Sequence, residues 1–536
     1  MTILFNLFVM LLVLLIAYWW ANHGLFSAIL HLICVIAAGA IAFAFWEPLT
    51  VNLLLRGNRF DDYAWGISLV GLFAISLVVL RVAMDKIVPS NVNLPTWANL
   101  AFGFPFGVAA GILTIGITLI GAGHIQSHQE VMGYLGYGRS ARGANVERIG
   151  PAFWLPIHQW TNEFYNWLSV GSLYPTFNNT PLQHYNPDVY KQASLLRDSF
   201  DSGKGKFSLK PDGASIREVL VAPVNERENR YAIAVNFTSI ARDFGQQLTL
   251  SRSQIRLICH PRDNFTKPHV IHPDAWSQET AAGGMARFSF DDPTHYITSV
   301  PGRESASTVI EFAVPSNAVP RFIQIRGTRY RLPEAKAAAP GMLNVASGPL
   351  PQVALPAGGA DIRNEIEISN TTRPLNISTN MIPGTLQHQD RMLTHGEATF
   401  ETGGERPSRN LLITGILEPA GTRIVQVQVG RQSTASLYGP IAERAGANAR
   451  IALVDSQGNA YTPIGYIHEH RTGTTIKLNF VQFLPTLNDL PMLPSASNDR
   501  LRLLFNVTVN ATIVGLKVGD ETIGTCNVTV APRTSR

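Results

Sequence analysis

Ile3-Leu-Phe-Asn-Leu-Phe-Val-Met-Leu-Leu-Val-Leu-Leu-Ile-Ala-Tyr-Trp-Trp20 contains no Asp, Glu, Lys or Arg. A helix needs roughly 17–25 apolar residues to cross the hydrocarbon core of a bilayer. Three further runs of the same kind follow, at Leu25–Trp46, Tyr63–Leu80 and Leu100–Gly121. Trp19, Trp20, Trp46, Tyr63, Trp65 and Trp97 stand at or beside their ends, where amphipathic rings favour the membrane–water interface. One such run alone is compatible with a buried core helix. Four in succession, with aromatic ends, predict a four-span transmembrane bundle over residues 1–123. The first run has no basic segment before it, and Ala17-Tyr-Trp-Trp-Ala21 is a poor site for signal cleavage, so it reads as a retained span.

The other three quarters of the 536-residue chain hold no comparable run. The expected fold class is therefore a helical four-span bundle followed by an all-β region. Lys and Arg exceed Asp and Glu by 43 to 38, for a net charge of +5. The basic residues are scattered, with no dense stripe of the sort that tracks nucleic acid. The partner implied by composition is the lipid bilayer.

Short loops do not set the orientation. Arg56 and Arg59 in one loop balance Arg81 and Lys86 in the next, a tie under the positive-inside rule. Arg139, Arg142 and Arg148 after the last run favour a cytoplasmic C-terminus, but large domains are translocated with little regard to charge.

The fourth run opens Asn99-Leu-Ala-Phe-Gly103-Phe-Pro-Phe-Gly107-Val-Ala-Ala-Gly111. Spacing by four puts Gly103, Gly107 and Gly111 on one helix face, where another backbone approaches closely. The neighbour is another helix of the bundle or a second copy of the chain. Pro105 is expected to kink or loosen the start of this helix. His31 is the one titratable side chain well inside a run, and such a residue is a functional candidate by default. Its position two turns from the helix start also suits a neutral, hydrogen-bonded interfacial histidine.

This region, about residues 1–170, resembles the CvpA (colicin V production) family, whose members carry glycines every four residues here. The family often has Asp-Arg before the first glycine and Arg before the last; this chain has Asn99, Leu100 and Ala110 there. The resemblance implies both termini outside a bacterial inner membrane, with the C-terminal region extracytoplasmic.

Residues 124–202 read as a connector. Within it Phe153, Ile157, Trp160, Phe164, Trp167 and Leu168 follow the rhythm of an amphipathic helix near 153–168. Its aromatic stripe suits either the membrane surface or the soluble region. From about Tyr231 the rhythm turns to period two. Strand-like segments separated by turn residues predict a β-sandwich over 203–332, loosely resembling immunoglobulin-like accessory domains. An Ala/Pro/Gly-rich linker at 333–360 and a second sandwich at 361–536 follow. Phe312-Ala-Val and Phe505-Asn-Val are corresponding pieces, so the two sandwiches are expected to be related.

Three cysteines occur. Cys34 lies in an apolar run. Cys259 and Cys526 fall in strand-like segments and are the candidate disulfide pair if that region is exported.

CvpA-type bundles are sometimes fused to a trypsin-like protease. Such an enzyme needs His, Asp and Ser in that order, with Ser in a Gly-Asp-Ser-Gly-Gly setting. Asp201-Ser202-Gly203 precedes nearly all the strands, and Gly519-Asp520 is followed by Glu521. Histidines gather with Cys259 at His260, His269 and His272, and again at His388 and His395 and at His468 and His470. The first group has no second cysteine close by, as a zinc site of the finger type requires. No phosphate loop or dinucleotide fingerprint occurs. Several glycosylation triplets occur, for example at Asn236, Asn506, Asn510 and Asn527, and in a bacterial reading they are silent. The expectation is a non-enzyme without metal or cofactor. It is read as an inner-membrane protein whose β-sandwich module binds an envelope protein or cell-wall component. A secretion or transport accessory working through the bundle is the alternative.

Overall fold

The computed structural model describes residues 2–56, 60–61, 63–88, 95–125, 134–140, 145–171, 180–198, 208–243, 247–262, 267–279, 285–291, 295–299, 305–339, 343, 358–372, 377–401, 408–419, 421–480, 484–494 and 499–532. Asp201-Ser202-Gly203, Arg59, Arg142 and most of the 333–360 linker lie outside them.

The four apolar runs form α1 (Thr2–Asn22), α2 (Leu25–Leu49), α3 (Ala64–Ile87) and α4 (Thr96–Gly123). Each is long and apolar enough to cross a membrane, which makes this a membrane protein with a β-rich C-terminal region. A turn of π-helix, Thr50–Leu55, prolongs α2. Pro48 has no N–H to give the preceding turn; two residues on, the Thr50 hydroxyl donates to the Trp46 carbonyl at 2.8 Å beside the Thr50 backbone N–H. Helix α3 runs past Leu80 to take in Arg81, Asp85 and Lys86, with Arg81 and Asp85 paired at 2.7 Å. Helix α4 is unbroken at Pro105, whose ring is on its exposed side.

The glycine face of α4 is filled by α1 of the same chain. A Cβ at Gly103 would lie 3.3 Å from Ala21 Cα, one at Gly107 2.7 Å from the Ala17 carbonyl oxygen, and one at Gly111 2.9 Å from that of Val13. The pairing is antiparallel, so the start of α1 and the end of α4 share one side of the bundle.

Helix α5 (Ile157–Val170) enters the bundle rather than lying on it. Thr161 abuts Gly116 of α4 and Tyr165 abuts Gly39 of α2, where a Cβ would overlap either hydroxyl. The Tyr165 hydroxyl donates to the Val35 carbonyl at 3.1 Å. Trp160 and Trp167 are left on the outside, 42% and 67% exposed. Short helices α6 (Leu182–Tyr185) and α7 (Val189–Leu195) follow.

Nine strands build the first sandwich: β1 (Ala214–Asn225), β2 (Glu228–Phe237), β3 (Ile255–Pro261), β4 (His269–Ile271), β5 (Ala275–Glu279), β6 (Met285–Ser289), β7 (Ala306–Pro315), β8 (Ala318–Ile325) and β9 (Thr328–Arg331). One sheet runs β1-β2-β7-β5-β6 and the other β9-β8-β3-β4. Ile233, Phe312, Leu257 and Ile323 meet between them.

The second sandwich uses β10 (Ile366–Ile368), β11 (Thr422–Gln428), β12 (Ile451–Asp455), β13 (Ala460–Tyr461), β14 (Gly465–His470), β15 (Gly473–Leu478), β16 (Arg500–Thr508), β17 (Thr512–Val518) and β18 (Glu521–Thr529). Its sheets run β10-β11-β16-β14-β15 and β18-β17-β12-β13. Apart from the parallel edge strands Lys336–Ala337 on β1 and Ala360–Asp361 on β18, this is the first sandwich's order with every strand number raised by nine, and each corresponding pair is antiparallel in both. Phe312 in β7 and Phe505 in β16 occupy equivalent central strands, both fully buried. Two features are specific to the second copy's large sheet. Met392–Glu401 and Leu386–Gln389 extend it beyond β15, and Ile377, Leu393 and Ile416 close a further apolar cluster over its other face.

Candidate functional site at the bundle–sandwich junction

The first sandwich is seated on the bundle by one continuous apolar cluster. Ile258 of β3 and Phe322 of β8 share it with Trp46 of α2, Trp65 of α3, Ile117 of α4 and Tyr165 of α5. Polar bonds fix the seating. Trp65 Nε1 donates to Ser208 Oγ at 3.0 Å and the Tyr185 hydroxyl to the Phe43 carbonyl at 3.2 Å. Arg329 Nε donates to Glu47 Oε1 at 2.9 Å, and its guanidinium stands 4.4 Å from the Tyr185 ring and 4.8 Å from that of Phe322.

Helices α5, α6 and α7 are held together by a buried amide layer. Asn162 Nδ2 donates to the Pro187 carbonyl at 2.9 Å, and Val189 N–H donates back to Asn162 Oδ1 at 3.1 Å. Gln324 of β8 donates to the Tyr185 carbonyl at 3.3 Å. Arg256 of β3 bonds Asn186 and pairs with Asp188. Beside this layer His124 is fully buried 5.3 Å from the Trp46 ring, and neither of its nitrogens has a partner among the described residues. Nε and Nη1 of buried Arg197 are likewise without one. Burial pulls that guanidinium down to about 10.

A cavity of about 1440 Å³ opens along the outside of the junction, between α6 and the β8–β9 hairpin. Arg321, Arg329 and Arg331 line it, with His184, His260, Phe322 and Glu334. The His184 and His260 rings lie 5.0 Å apart, and His260 Nε2 is 2.7 Å from the His184 carbonyl. Burial is the main cause holding both imidazoles below their usual range.

The second sandwich carries a smaller polar cleft of about 520 Å³. It is lined by Glu365, Glu367, Gln426, Gln428, Glu469, Arg500 and Arg502, with Arg502 bonded to Gln426 and paired with Glu469. This sandwich joins the first through the Tyr296 hydroxyl, which donates to the Gly421 carbonyl at 3.0 Å, and through Gln247 and Thr508.

The residues singled out by sequence fall in separate places. Gly103, Gly107 and Gly111 are spent on the α1 contact. His31 stacks on Trp20 with ring centroids 3.8 Å apart, and Arg81 covers the same indole at 4.7 Å. Cys259 and Cys526 are free, each buried in the core of a different sandwich, so the candidate disulfide does not form. Burial pushes the Cys526 thiol up to about 12, and that of Cys259 higher still. His260 faces the cavity and His269 pairs opposite Cys259. His272 bonds the Ile255 carbonyl, and His468 lies 3.2 Å from Asp499. Among the described residues no three His, Cys, Asp or Glu converge on one point.

Sequence reading missed the cavity. Its signal lay in Arg321, Arg329 and Arg331 around one hairpin, and in Glu47, the acidic residue just past the second apolar run. No known protein family matches the chain, and no curated protein does.

Proposed function

We propose that the chain is an extracytoplasmic binding module anchored in a bacterial inner membrane. In this reading a CvpA-like bundle holds two stacked β-sandwiches on the outer side, and the second sandwich meets an envelope protein or a cell-wall component. The observation that carries the reading is the asymmetry of attachment. The first sandwich shares an apolar cluster with α2, α3, α4 and α5, while the second is held by the first. A rigid base and a distal repeat suit presentation of a surface away from the bilayer. The cleft around Gln426, Glu469, Arg500 and Arg502 is the partner face: Arg500 and Glu367 are exposed on its rim, and Arg502 and Glu469 are half-buried within it, and mixed charges select partners by complementarity. The transport reading leaned on the α4 glycines and His31. Val13, Ala17 and Ala21 fill the former, and Trp20 stacks on the latter.

Two measurements on the full chain test this. A reporter fused after Arg536 is active outside the cytoplasmic membrane and silent inside. A photo-crosslinker at Gln428 captures one discrete envelope partner in living cells, and the same probe at exposed Val224 of the first sandwich does not. A cytoplasmic reporter signal, or identical capture from both positions, would refute the reading.

A further inference from the structure

The cavity beside Arg329 lies at a depth that can be measured along α2. Glu47 is 22 residues beyond Leu25, about 33 Å at 1.5 Å per residue. The hydrocarbon core is about 30 Å thick. With the start of α2 at one interface, Glu47 therefore reaches the headgroup zone of the other. Arg329 bonds Glu47 there, so the cavity mouth stands at the same level.

Its chemistry is that of a positively charged, anion-binding pocket with an apolar wall. Arg329 is neutralised by Glu47, but Arg321 and Arg331 are exposed and have no ion-pair partner among the described residues. Register sets Arg331 opposite Phe322 across the β8–β9 hairpin, on the face it shares with Arg329, and Arg321 stands at the irregularity between Pro320 and Phe322; both guanidinium groups line the cavity. Among the described residues Glu334 is the one acidic side chain on the cavity wall. Phe322 and Val319 supply apolar surface to the same cavity wall. A planar guanidinium binds phosphate oxygens through paired N–H donors. Anionic lipid attracts such a group by about 1 kcal/mol per basic residue near the surface.

From this depth and charge we propose that the cavity binds the phosphate headgroup of an anionic phospholipid, with Arg321 and Arg331 as its donors and Phe322 against the glycerol end. Held there, the lipid fixes the height of the first sandwich above the bilayer. The proposal rests on the membrane anchorage alone and not on the partner face, so lipid retention and partner capture fail independently.

The test is native mass spectrometry of the full chain in detergent, titrated with phosphatidylglycerol or phosphatidylcholine. Wild type is expected to retain phosphatidylglycerol at least five-fold more than phosphatidylcholine. Arg321→Gln with Arg331→Gln brings the ratio to about one, and Arg321→Lys with Arg331→Lys keeps most of it, which separates lost charge from lost folding. Millimolar inorganic phosphate leaves the lipid adduct in place. Equal retention of the two lipids, an undiminished preference in the double Gln variant, or displacement by inorganic phosphate would each overturn the proposal, the last by marking a soluble-anion site.

Discussion

Gly327, at the tip of the β8–β9 hairpin, rests on the indole of Trp65 in α3: a Cβ there would lie 2.8 Å from Trp65 Cζ2. The two turn residues, Arg326 and Gly327, have φ of 46° and 84°, the left-handed pair that a tight hairpin turn demands. Glycine is needed twice over, for the backbone and for the contact. Gly327→Ala is expected to loosen the sandwich from the bundle, and Trp65→Ala in the same chain to restore part of the loss. A double-mutant cycle read by thermal melting in detergent checks this. Coupling of about 0.5–3 kcal/mol is expected for touching residues; strict additivity would deny the contact.

Gly107 and Gly71 make a matched pair for the membrane part. A Cβ at Gly107 meets the Ala17 carbonyl oxygen at 2.7 Å, but one at Gly71 of α3 meets nothing within 4 Å. Gly107→Ala must push α1 away and is expected to destabilise the bundle by about 1–3 kcal/mol. Gly71→Ala gains helix propensity, roughly 0.5–1 kcal/mol. Opposite shifts in the melting temperature of the two variants are the expected outcome. A loss at both sites, or at neither, contradicts the packing described.

The Arg326 side chain forms a buried fork with Asp243, Nη1 to Oδ1 and Nη2 to Oδ2 both at 2.9 Å, each side chain 1% exposed. Asp243→Asn would strand a buried guanidinium. Breaking a buried pair from one side costs about 3–5 kcal/mol, so the first sandwich should unfold at markedly lower denaturant. Removing both charges, as Asp243→Asn with Arg326→Gln, should cost less than the single change. A single variant that melts like wild type would show the fork to be dispensable.

Burial, helped by the nearby Arg256 charge, holds the His272 imidazole down to about 4 against an ordinary 6.5. The folded chain therefore keeps His272 neutral while the unfolded chain binds a proton below pH 6.5. More protons on the unfolded state means stability that rises with pH. The contribution is full above pH 6.5 and drains away as pH falls toward 4. His184 and His260 are shifted in the same sense, so His272→Gln should flatten the pH slope of stability without abolishing it. Chemical melts at pH 7 and pH 5 on both proteins measure the difference; equal slopes would reject the assignment.

What could be read from sequence followed the range of the forces involved. Hydrophobic run length is local, so α1 to α4 stand close to where Ile3–Trp20, Leu25–Trp46, Tyr63–Leu80 and Leu100–Gly121 put them. Period-two alternation exposed the β-region, and the pairing of Phe312 with Phe505 foreshadowed the equivalent strands β7 and β16. The site was less legible because it is assembled from distant pieces. Glu47 meets Arg329 across 282 positions and Trp65 meets Ser208 across 143, and no local pattern encodes such contacts. The aromatic stripe of α5 was visible, but its seat was not, because Gly39 and Gly116 are ordinary glycines until Tyr165 and Thr161 arrive.

Cys259 and Cys526 mark the point where strand alternation ends and core packing decides. Alternation places both in strands, which leaves pairing open; the cores then part them, Cys259 among Ile255, Leu257 and Ile323 and Cys526 among Ile523, Ile513 and Val530. A thiol in such surroundings resists ionisation, because burial disfavours the charged form, and the thiolate is the reactive species. Native protein at pH 7.5 is therefore expected to leave both cysteines unmodified by a maleimide, and denatured protein to react at both within minutes. Mobility on a gel should not depend on reductant. Mass mapping of the labelled peptides separates these sites from Cys34. Prompt labelling of Cys526 in the native state would place it outside the core, and a reductant-sensitive mobility shift lost in Cys259→Ser would restore the disulfide.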